Sequence, residues 1–218
     1  LVPIITDRYD EGGTMTGHYF HQDLYVARKV FLANARKHVD IGSRADGFVA
    51  HVASFRHIEL VDIRKITSKI KNIAFQQLDL MQLPSNLLNY CDSISSLHAI
   101  EHFGLGRYGD PINYNGHLRA IENIGKILCP GGTFYFSVPI GQQRIEFNAH
   151  RVFSIRYLIE ILGSNFSIEE FSYVDDSGIF FENVAMTNEL VNTNFGCNYG
   201  CGIFILKKQG DESHRVGI

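Results

Sequence analysis

The sequence lacks the features that define several specialised classes of protein. Its 20 Lys and Arg against 23 Asp and Glu give a net charge of -3, so we expect no basic surface for a nucleic acid or an anionic membrane. No apolar run approaches the roughly 20 residues that span a bilayer, and the first residues lack the basic and apolar regions of a signal peptide. These absences predict a cytoplasmic protein that binds neither nucleic acid nor membrane.

Cysteine and metal-binding patterns are also scarce. The four cysteines are too few for a disulfide scaffold in 218 residues. Cys197 and Cys201 have the spacing C-x-x-x-C, but a zinc site would need two further ligands at a recognisable spacing. The ten histidines include no pair joined to carboxylates as a catalytic ion would require. We therefore expect reduced, mostly buried thiols and no metal ion.

The composition is that of a globular protein with one main domain. Hydrophobic residues make up 45% of the chain and charged residues 20%, and 218 residues suit one α/β domain with an extension. Asp23 is expected to cap the first helix. We divide the chain into an amino-terminal arm of residues 1–22, a domain of residues 23–210 and a tail of residues 211–218. The arm could fold over an active site or form a mobile terminus.

Strand and helix patterns alternate along the domain. The strand patterns lie at residues 38–41, 58–62, 73–78, 93–97, 133–138, 168–174 and 202–207. A helix from Asn115 should end at Pro130, and Pro139 should end the strand that follows. The last two strands are joined by an Asn- and Gly-rich segment at residues 175–200, without a clear helix. This order predicts an α/β fold with a mostly parallel sheet and an antiparallel end.

A glycine-containing loop follows the first strand, in the sequence Asp-Ile-Gly-Ser-Arg-Ala-Asp-Gly at residues 40–47. Gly42 allows the backbone to approach a ligand, and a helix starting near Gly47 would direct free N–H groups at it. No Lys follows Gly47, which disfavours a nucleoside triphosphate. Arg44 stands where a dinucleotide site needs its second glycine, so NAD is the weaker alternative.

Acidic residues end the second and third strands of the predicted sheet. Asp62 is placed to accept hydrogen bonds from ribose hydroxyls, and Asp79 from an adenine amino group. Together with Asp40 they suit a cofactor that has a ribose and an adenine but no phosphate. The alternative is that all three merely cap turns at strand ends, as Asp often does.

These segments resemble the class I S-adenosylmethionine-dependent methyltransferases over roughly residues 36–208. The resemblance rests on Asp40-Ile41-Gly42-Ser43 with Gly47, on residues 60–62 and 78–80, on the His-x-x-Glu-His of residues 98–102, and on residues 128–132. It implies a Rossmann-like, seven-stranded, mostly parallel sheet with helices on both faces and an antiparallel last strand. It also implies S-adenosylmethionine as cofactor and S-adenosylhomocysteine as product. The residues expected to bind the cofactor are Asp40, Gly42, Ser43, Arg44, Gly47, Asp62, Ile63, Asp79, Leu80, Leu97 and His98.

Residues 17–23 and 40–52 look more narrowly like a group of uncharacterised bacterial proteins encoded among polysaccharide biosynthesis genes. That resemblance implies a small-molecule acceptor, such as a sugar or a nucleotide-sugar, methylated on a hydroxyl. The sequence is compatible with a homodimer. Two alternatives remain open: a non-catalytic nucleoside-binding or interaction module on this scaffold, and an NAD-dependent oxidoreductase.

Methylation of a hydroxyl requires alignment of the acceptor and a base for its proton. His102, near the end of the fourth strand, is our first choice because imidazole titrates near neutral pH. His21 and His150 are rival bases in segments that could close over a substrate. In the structural alternative, His98 packs under the adenine and His102 stabilises the loop.

Arg44 has two interpretations that the sequence does not separate. Beside the glycine loop, its guanidinium could hold the methionyl carboxylate of the cofactor through a charge-assisted pair. Alternatively, it forms a salt bridge with Asp46 or Asp62.

Overall fold

The computed structural model describes residues 2, 6, 8–82 and 85–210. The strands are β1 His38–Ile41, β2 Ile58–Asp62, β3 Ile73–Gln77, β4 Cys91–Leu97, β5 Leu128–Ile140, β6 Arg144–Glu146, β7 His150–Val152, β8 Phe166–Val174, β9 Phe180–Phe181 and β10 Gly200–Lys208. The helices are α1 His18–Ala33, α2 Ala50–Ala53, α3 Gly116–Ile127, α4 Ile155–Gly163 and α5 Asn188–Asn192. The tail of residues 211–218 lies outside the described residues, as do parts of the arm.

A central sheet of eight strands has the order β3-β2-β1-β4-β5-β10-β8-β9, and β6 and β7 form a separate hairpin. Strands β1 to β5 pair in parallel, whereas β10 runs antiparallel to both of its neighbours, β5 and β8. The expected α/β sheet with an antiparallel last strand is confirmed. Its eighth strand is β9, a two-residue edge strand within the Asn- and Gly-rich segment.

Helices cover both faces of the sheet because the central strands are apolar on both sides. One buried cluster joins α3 and α4 to the sheet through residues such as Ile124 and Leu158. A second joins α1 and α2 to the other face through Val26 and Val52. This two-sided burial is typical of parallel sheets. Among the described residues, no helix combines the length and apolarity needed to cross a membrane.

Several element boundaries differ from the sequence expectation, among them the end of α3 at Ile127 and the start of β5 at Leu128, both before Pro130. Helix α1 begins at His18, so the division at residue 22 falls inside a helix, and Asp23 does not cap it. Strand β5 continues past Pro139 to Ile140, because the Pro139 carbonyl accepts a hydrogen bond from the Phe153 N–H at 3.0 Å. The Ser154 side chain caps the first turn of α4 by accepting a hydrogen bond from the Tyr157 N–H.

Candidate functional site

A cavity of about 320 Å³ opens at the carboxyl ends of β1, β2 and β4. The strand order reverses between β1 and β4, and ligands of open α/β sheets bind at such a reversal. Of the predicted cofactor-binding residues, the cavity is lined by Gly42, Arg44, Asp62, Ile63, Asp79, Leu80 and His98. His102 lines it as well. Asp40, Ser43, Gly47 and Leu97 do not form its described lining.

Gly42 forms the part of the wall where β1 turns into the loop. Its φ of 72° lies in the left-handed region that favours glycine. A Cβ at this position would approach the Cβ of Ala99 to 3.1 Å. The Gly42 N–H donates to the carbonyl of Val61 at 2.9 Å, which fixes the loop against β2. The glycine therefore permits both the turn and the close approach.

Asp40 lies beneath the loop instead of facing the cavity. Its carboxylate accepts hydrogen bonds from the Ser43 N–H at 3.0 Å and from the hydroxyls of Ser43 at 2.6 Å and Ser95 at 2.5 Å. The Ser43 hydroxyl in turn accepts from the Leu97 N–H at 3.0 Å. Complete burial raises the pKa of Asp40 to about 7, although these hydrogen bonds oppose the rise. Asp40, Ser43 and Leu97 therefore brace the loop against β4.

Gly47 also lies outside the cavity lining, where the loop packs against α1. The segment Ala45–Val49 is an irregular turn, and Gly47 itself has non-helical backbone angles. A Cβ on Gly47 would collide with the carboxylate of Asp23 in α1. We expected a helix that starts near Gly47 and directs its N–H groups at a ligand. Gly47 instead makes a tight contact between the loop and α1.

Asp62 lies on the cavity wall and is paired with a residue that sequence reasoning missed. Arg64 makes two side-chain hydrogen bonds to the Asp62 carboxylate, at 3.0 and 2.6 Å, and its backbone N–H makes a third at 2.7 Å. The Arg64 guanidinium also lies 4.6 Å from the ring centroid of Tyr108. Its side chain is 48% exposed, whereas that of Asp62 is 6% exposed. Arg64 can therefore swing outward and free the carboxylate for a ligand.

Asp79 and Arg44 both line the cavity. One Asp79 oxygen accepts from the Met81 N–H at 2.9 Å, which turns the chain after β3. Arg44 forms the salt bridge with Asp46 that was one of its two predicted interpretations. Its guanidinium makes two hydrogen bonds to Asp46, at 3.1 and 2.9 Å. It also lies 4.9 Å from the ring centroid of Tyr19, which places the first turn of α1 at the cavity.

The three candidate bases lie in different places. His102 lines the cavity, and its Nδ1 is 2.6 Å from the carbonyl of Ala149. Nδ1 donates in that contact, and Nε2 lies 3.7 Å from a carboxylate oxygen of Glu101. His150 lies next to it, with ring centroids 6.4 Å apart, and burial lowers the pKa of His150. His21 stacks on Phe180 and borders a different cavity, so the structure separates it from this site.

His98 and Glu101 form a buried pair at the end of β4. His98 has a φ of 50°, and its Nδ1 lies 2.9 Å from the Glu101 carboxylate. Burial lowers the pKa of His98, but Cys201 and Glu101 outweigh it and raise that pKa well above its ordinary value. Burial likewise opposes ionisation of Glu101, but His98 holds the pKa of that carboxyl below its ordinary value.

The first turn of α1 closes over His98, as one interpretation of the arm predicted. The ring of His18 stacks on that of His98 with centroids 5.3 Å apart, and the ring of Tyr19 lies 5.2 Å from it. Burial, and then the neighbouring His98, lower the pKa of His18 to about 4. His18 and Tyr19 were missed as site residues, although the run of Gly, His, Tyr and Phe before Asp23 was a visible signal.

Comparison with solved structures assigns the fold. The [4+2]-cyclase SpnF has a TM-score of 0.63 at 16% identity, covering 87% of this chain and 81% of its own. The N-methyltransferase NodS from Bradyrhizobium japonicum, in complex with S-adenosylhomocysteine, has a TM-score of 0.59 at 14% identity. The match covers 93% of this chain and 91% of NodS. A Burkholderia thailandensis N1-methyltransferase with bound 1,6-didemethyltoxoflavin and S-adenosylhomocysteine has a TM-score of 0.59 at 13% identity, covering 86% and 79%. The fold is that of class I methyltransferases.

Within that fold, the chain belongs to the family DUF268, described as "Caenorhabditis protein of unknown function", whose pattern matches residues 29–196. The match includes the glycine loop, Asp62, Asp79 and His102. A search of curated proteins found no match to the chain.

Proposed function

We propose that this protein is an S-adenosylmethionine-dependent methyltransferase that acts on a hydroxyl of a small molecule, such as a sugar or nucleotide-sugar. The observation that carries the proposal is the combination of Gly42, Asp62 and Asp79 on one cavity at the reversal of strand order. The sugar acceptor is supported by the narrower sequence resemblance alone. Among the structural neighbours, NodS and the Burkholderia enzyme are N-methyltransferases with bound S-adenosylhomocysteine.

The residues of the cavity fit this cofactor. Asp62 can accept hydrogen bonds from ribose hydroxyls once Arg64 swings outward. Leu80 and Met81, both buried, provide apolar surface beside Asp79, as an adenine ring requires. The charged residues of the lining are Asp62, Asp79, Asp110, Arg44 and Arg64. Because Arg44 is paired with Asp46 and three acids line the cavity, the lining suits a cationic sulfonium better than a pyrophosphate.

The chain has three tasks in such a reaction. When bound, the cofactor supplies a methyl group activated by its sulfonium. The glycine loop and the first turn of α1 exclude water and hold the acceptor in line with the methyl carbon. His102, held by the contact of its Nδ1 with Ala149, lines the cavity and would accept the proton of the acceptor hydroxyl at Nε2.

The proposal is tested by incubating the protein with S-adenosylmethionine and a panel of sugars and nucleotide-sugars, and measuring S-adenosylhomocysteine and the methylated product. Gly42→Ala is the informative variant, and Gly131→Ala is its matched control. Both glycines have a φ of 72°, but only the added Cβ of Gly42 meets a neighbour within 4 Å. We expect product from the wild type and from Gly131→Ala, and a loss of at least about tenfold for Gly42→Ala.

The alternatives predict different outcomes. A non-catalytic module would bind S-adenosylhomocysteine and yield no methylated product from any acceptor. SpnF makes this distinction necessary, because it is a cyclase with a similar fold. An NAD-dependent oxidoreductase would bind NADH and leave S-adenosylmethionine unused.

A further inference from the structure

We propose that His18, His98 and Cys201 form a zinc-binding site beside the cavity. The three residues come from distant parts of the chain: the start of α1, the loop after β4, and the second residue of β10. One ring nitrogen of each histidine and the Cys201 sulfur lie within 4.8 Å of one another. Two imidazoles and one thiolate form a donor set that zinc prefers.

The orientation of His98 is the first argument for a ligand at this place. Its Nδ1 contacts the Glu101 carboxylate at 2.9 Å, so Nδ1 carries the hydrogen of that bond. Its Nε2 is buried without a hydrogen-bond partner, and the side chain is only 5% exposed. A ring nitrogen held by a carboxylate on one side and left open on the other is the usual arrangement of a metal-binding histidine.

The surroundings supply a second argument. The second carboxylate oxygen of Glu101, Oε2, is also buried without a hydrogen-bond partner. Unpartnered buried polar atoms are costly, and two of them on adjoining side chains indicate a missing polar group. A zinc ion bound to Nε2 of His98 would satisfy the ring nitrogen.

The ligand set closes on zinc when His18 turns out of its stack on His98, where the two ring centroids now lie 5.3 Å apart. Bonds of about 2.0–2.3 Å to nitrogen and sulfur place tetrahedral ligands about 3.3–3.6 Å apart, so the widest separation must contract by about 1 Å. His18 is the half-buried first residue of α1, and rotation about its side-chain bonds would supply that turn. Binding requires the thiolate of Cys201 and an unprotonated Nε2 on His98, so zinc displaces the protons of both groups to solvent.

This site departs from the sequence expectation of no metal. The sequence does not reveal it, because its donors are adjacent only after α1 packs over the ends of β4 and β10. Three protein ligands leave one position of tetrahedral zinc open, as in catalytic zinc sites. His98 also lines the cavity, so the open position would be close to any bound acceptor. Zinc binding is measurable without cofactor and therefore stands apart from the proposed methyl transfer.

The test uses the full chain without an affinity tag. The protein is loaded with zinc, desalted and analysed for bound metal, and cobalt is then substituted to record the thiolate-to-cobalt absorption band. We expect about one zinc per chain and a clear band in the wild type. Cys201→Ser should lose the band and weaken zinc binding by at least about tenfold. Cys197→Ser is the matched control, a nearby buried thiol outside the cluster, and should retain both.

Two results would overturn the proposal. One is a wild-type protein that retains no zinc and shows no cobalt–thiolate band. The other is a folded Cys201→Ser variant that binds zinc as tightly as the wild type. If Cys201→Ser fails to fold, His18→Gln replaces it, because His18 is only half-buried and its loss should still weaken zinc binding. Unchanged binding in folded His18→Gln would then exclude the site.

Discussion

Replacement of Asp40 by Asn should change how the stability of the protein depends on pH. Burial raises the pKa of Asp40 from 3.8 to about 7 in the folded protein. Between these values the unfolded chain has lost the proton that the folded protein keeps, so the free energy of unfolding falls as pH rises. About 3 pKa units at about 1.4 kcal/mol each give a loss of about 4 kcal/mol between about pH 4 and about pH 7. Above the folded pKa the contribution is constant.

The assay is urea unfolding of the wild type and Asp40→Asn at a series of pH values. The difference between the two free energies isolates Asp40, because Asp23, whose pKa burial raises to about 6, titrates in both proteins. The amide changes the hydrogen bonds from Ser43 and Ser95, but that change does not vary with pH. The free energy of unfolding of Asp40→Asn should therefore rise relative to that of the wild type as the pH rises towards 7. A difference that is flat with pH, or that favours the wild type at higher pH, would refute the reasoning.

Three further predictions concern separate parts of the fold and site. Gly116→Ala should lower the unfolding free energy by about 1–3 kcal/mol, because its Cβ would lie 2.8 Å from backbone atoms of Gly104; an unchanged melting temperature would contradict this. Asp62→Ala should weaken S-adenosylhomocysteine binding by about 1–3 kcal/mol in calorimetry, and equal affinity would move the ribose site elsewhere. His102→Ala should reduce turnover about 100-fold with cofactor affinity unchanged. His21→Ala is its control, and a similar loss there would assign the base to α1.

The placement of the site could be predicted from the sequence because it depends on strand order alone. In a parallel sheet, the carboxyl ends of neighbouring strands meet at one edge, so the residues that follow β1, β2 and β3 are neighbours. Gly42, Asp62 and Asp79 follow those strands and line the cavity as expected. Their positions follow from backbone topology, which strong local patterns determine.

The direction and the pairing of individual side chains could not be predicted from strand order. Asp40 and Ile41 are adjacent, and the alternation of the strand sends Asp40 to Ser95 while Ile41 lines the cavity. Arg44 has an acid two residues away, and that local pair competes with any ligand. The motif indicates that such residues are near the cofactor but does not say which of them face it.

The contribution of α1 to the site could not be predicted from the sequence either. The stacking of His18 on His98 brings together residues from opposite ends of the amino-terminal half of the domain. Cys201 joins them only because β10 pairs with β5, which places Cys201 opposite Pro139. Such contacts arise from tertiary packing, and no local spacing encodes them.

The central claim is that the cavity binds S-adenosylmethionine, and calorimetric titration with S-adenosylhomocysteine tests it most directly. NADH serves as the control ligand, and Gly42→Ala serves as the control protein. We predict a dissociation constant on the order of micromolar for the wild type, at least about tenfold weaker binding by Gly42→Ala, and no binding of NADH. Binding of NADH alone, or of neither ligand by the folded wild type, would contradict the account.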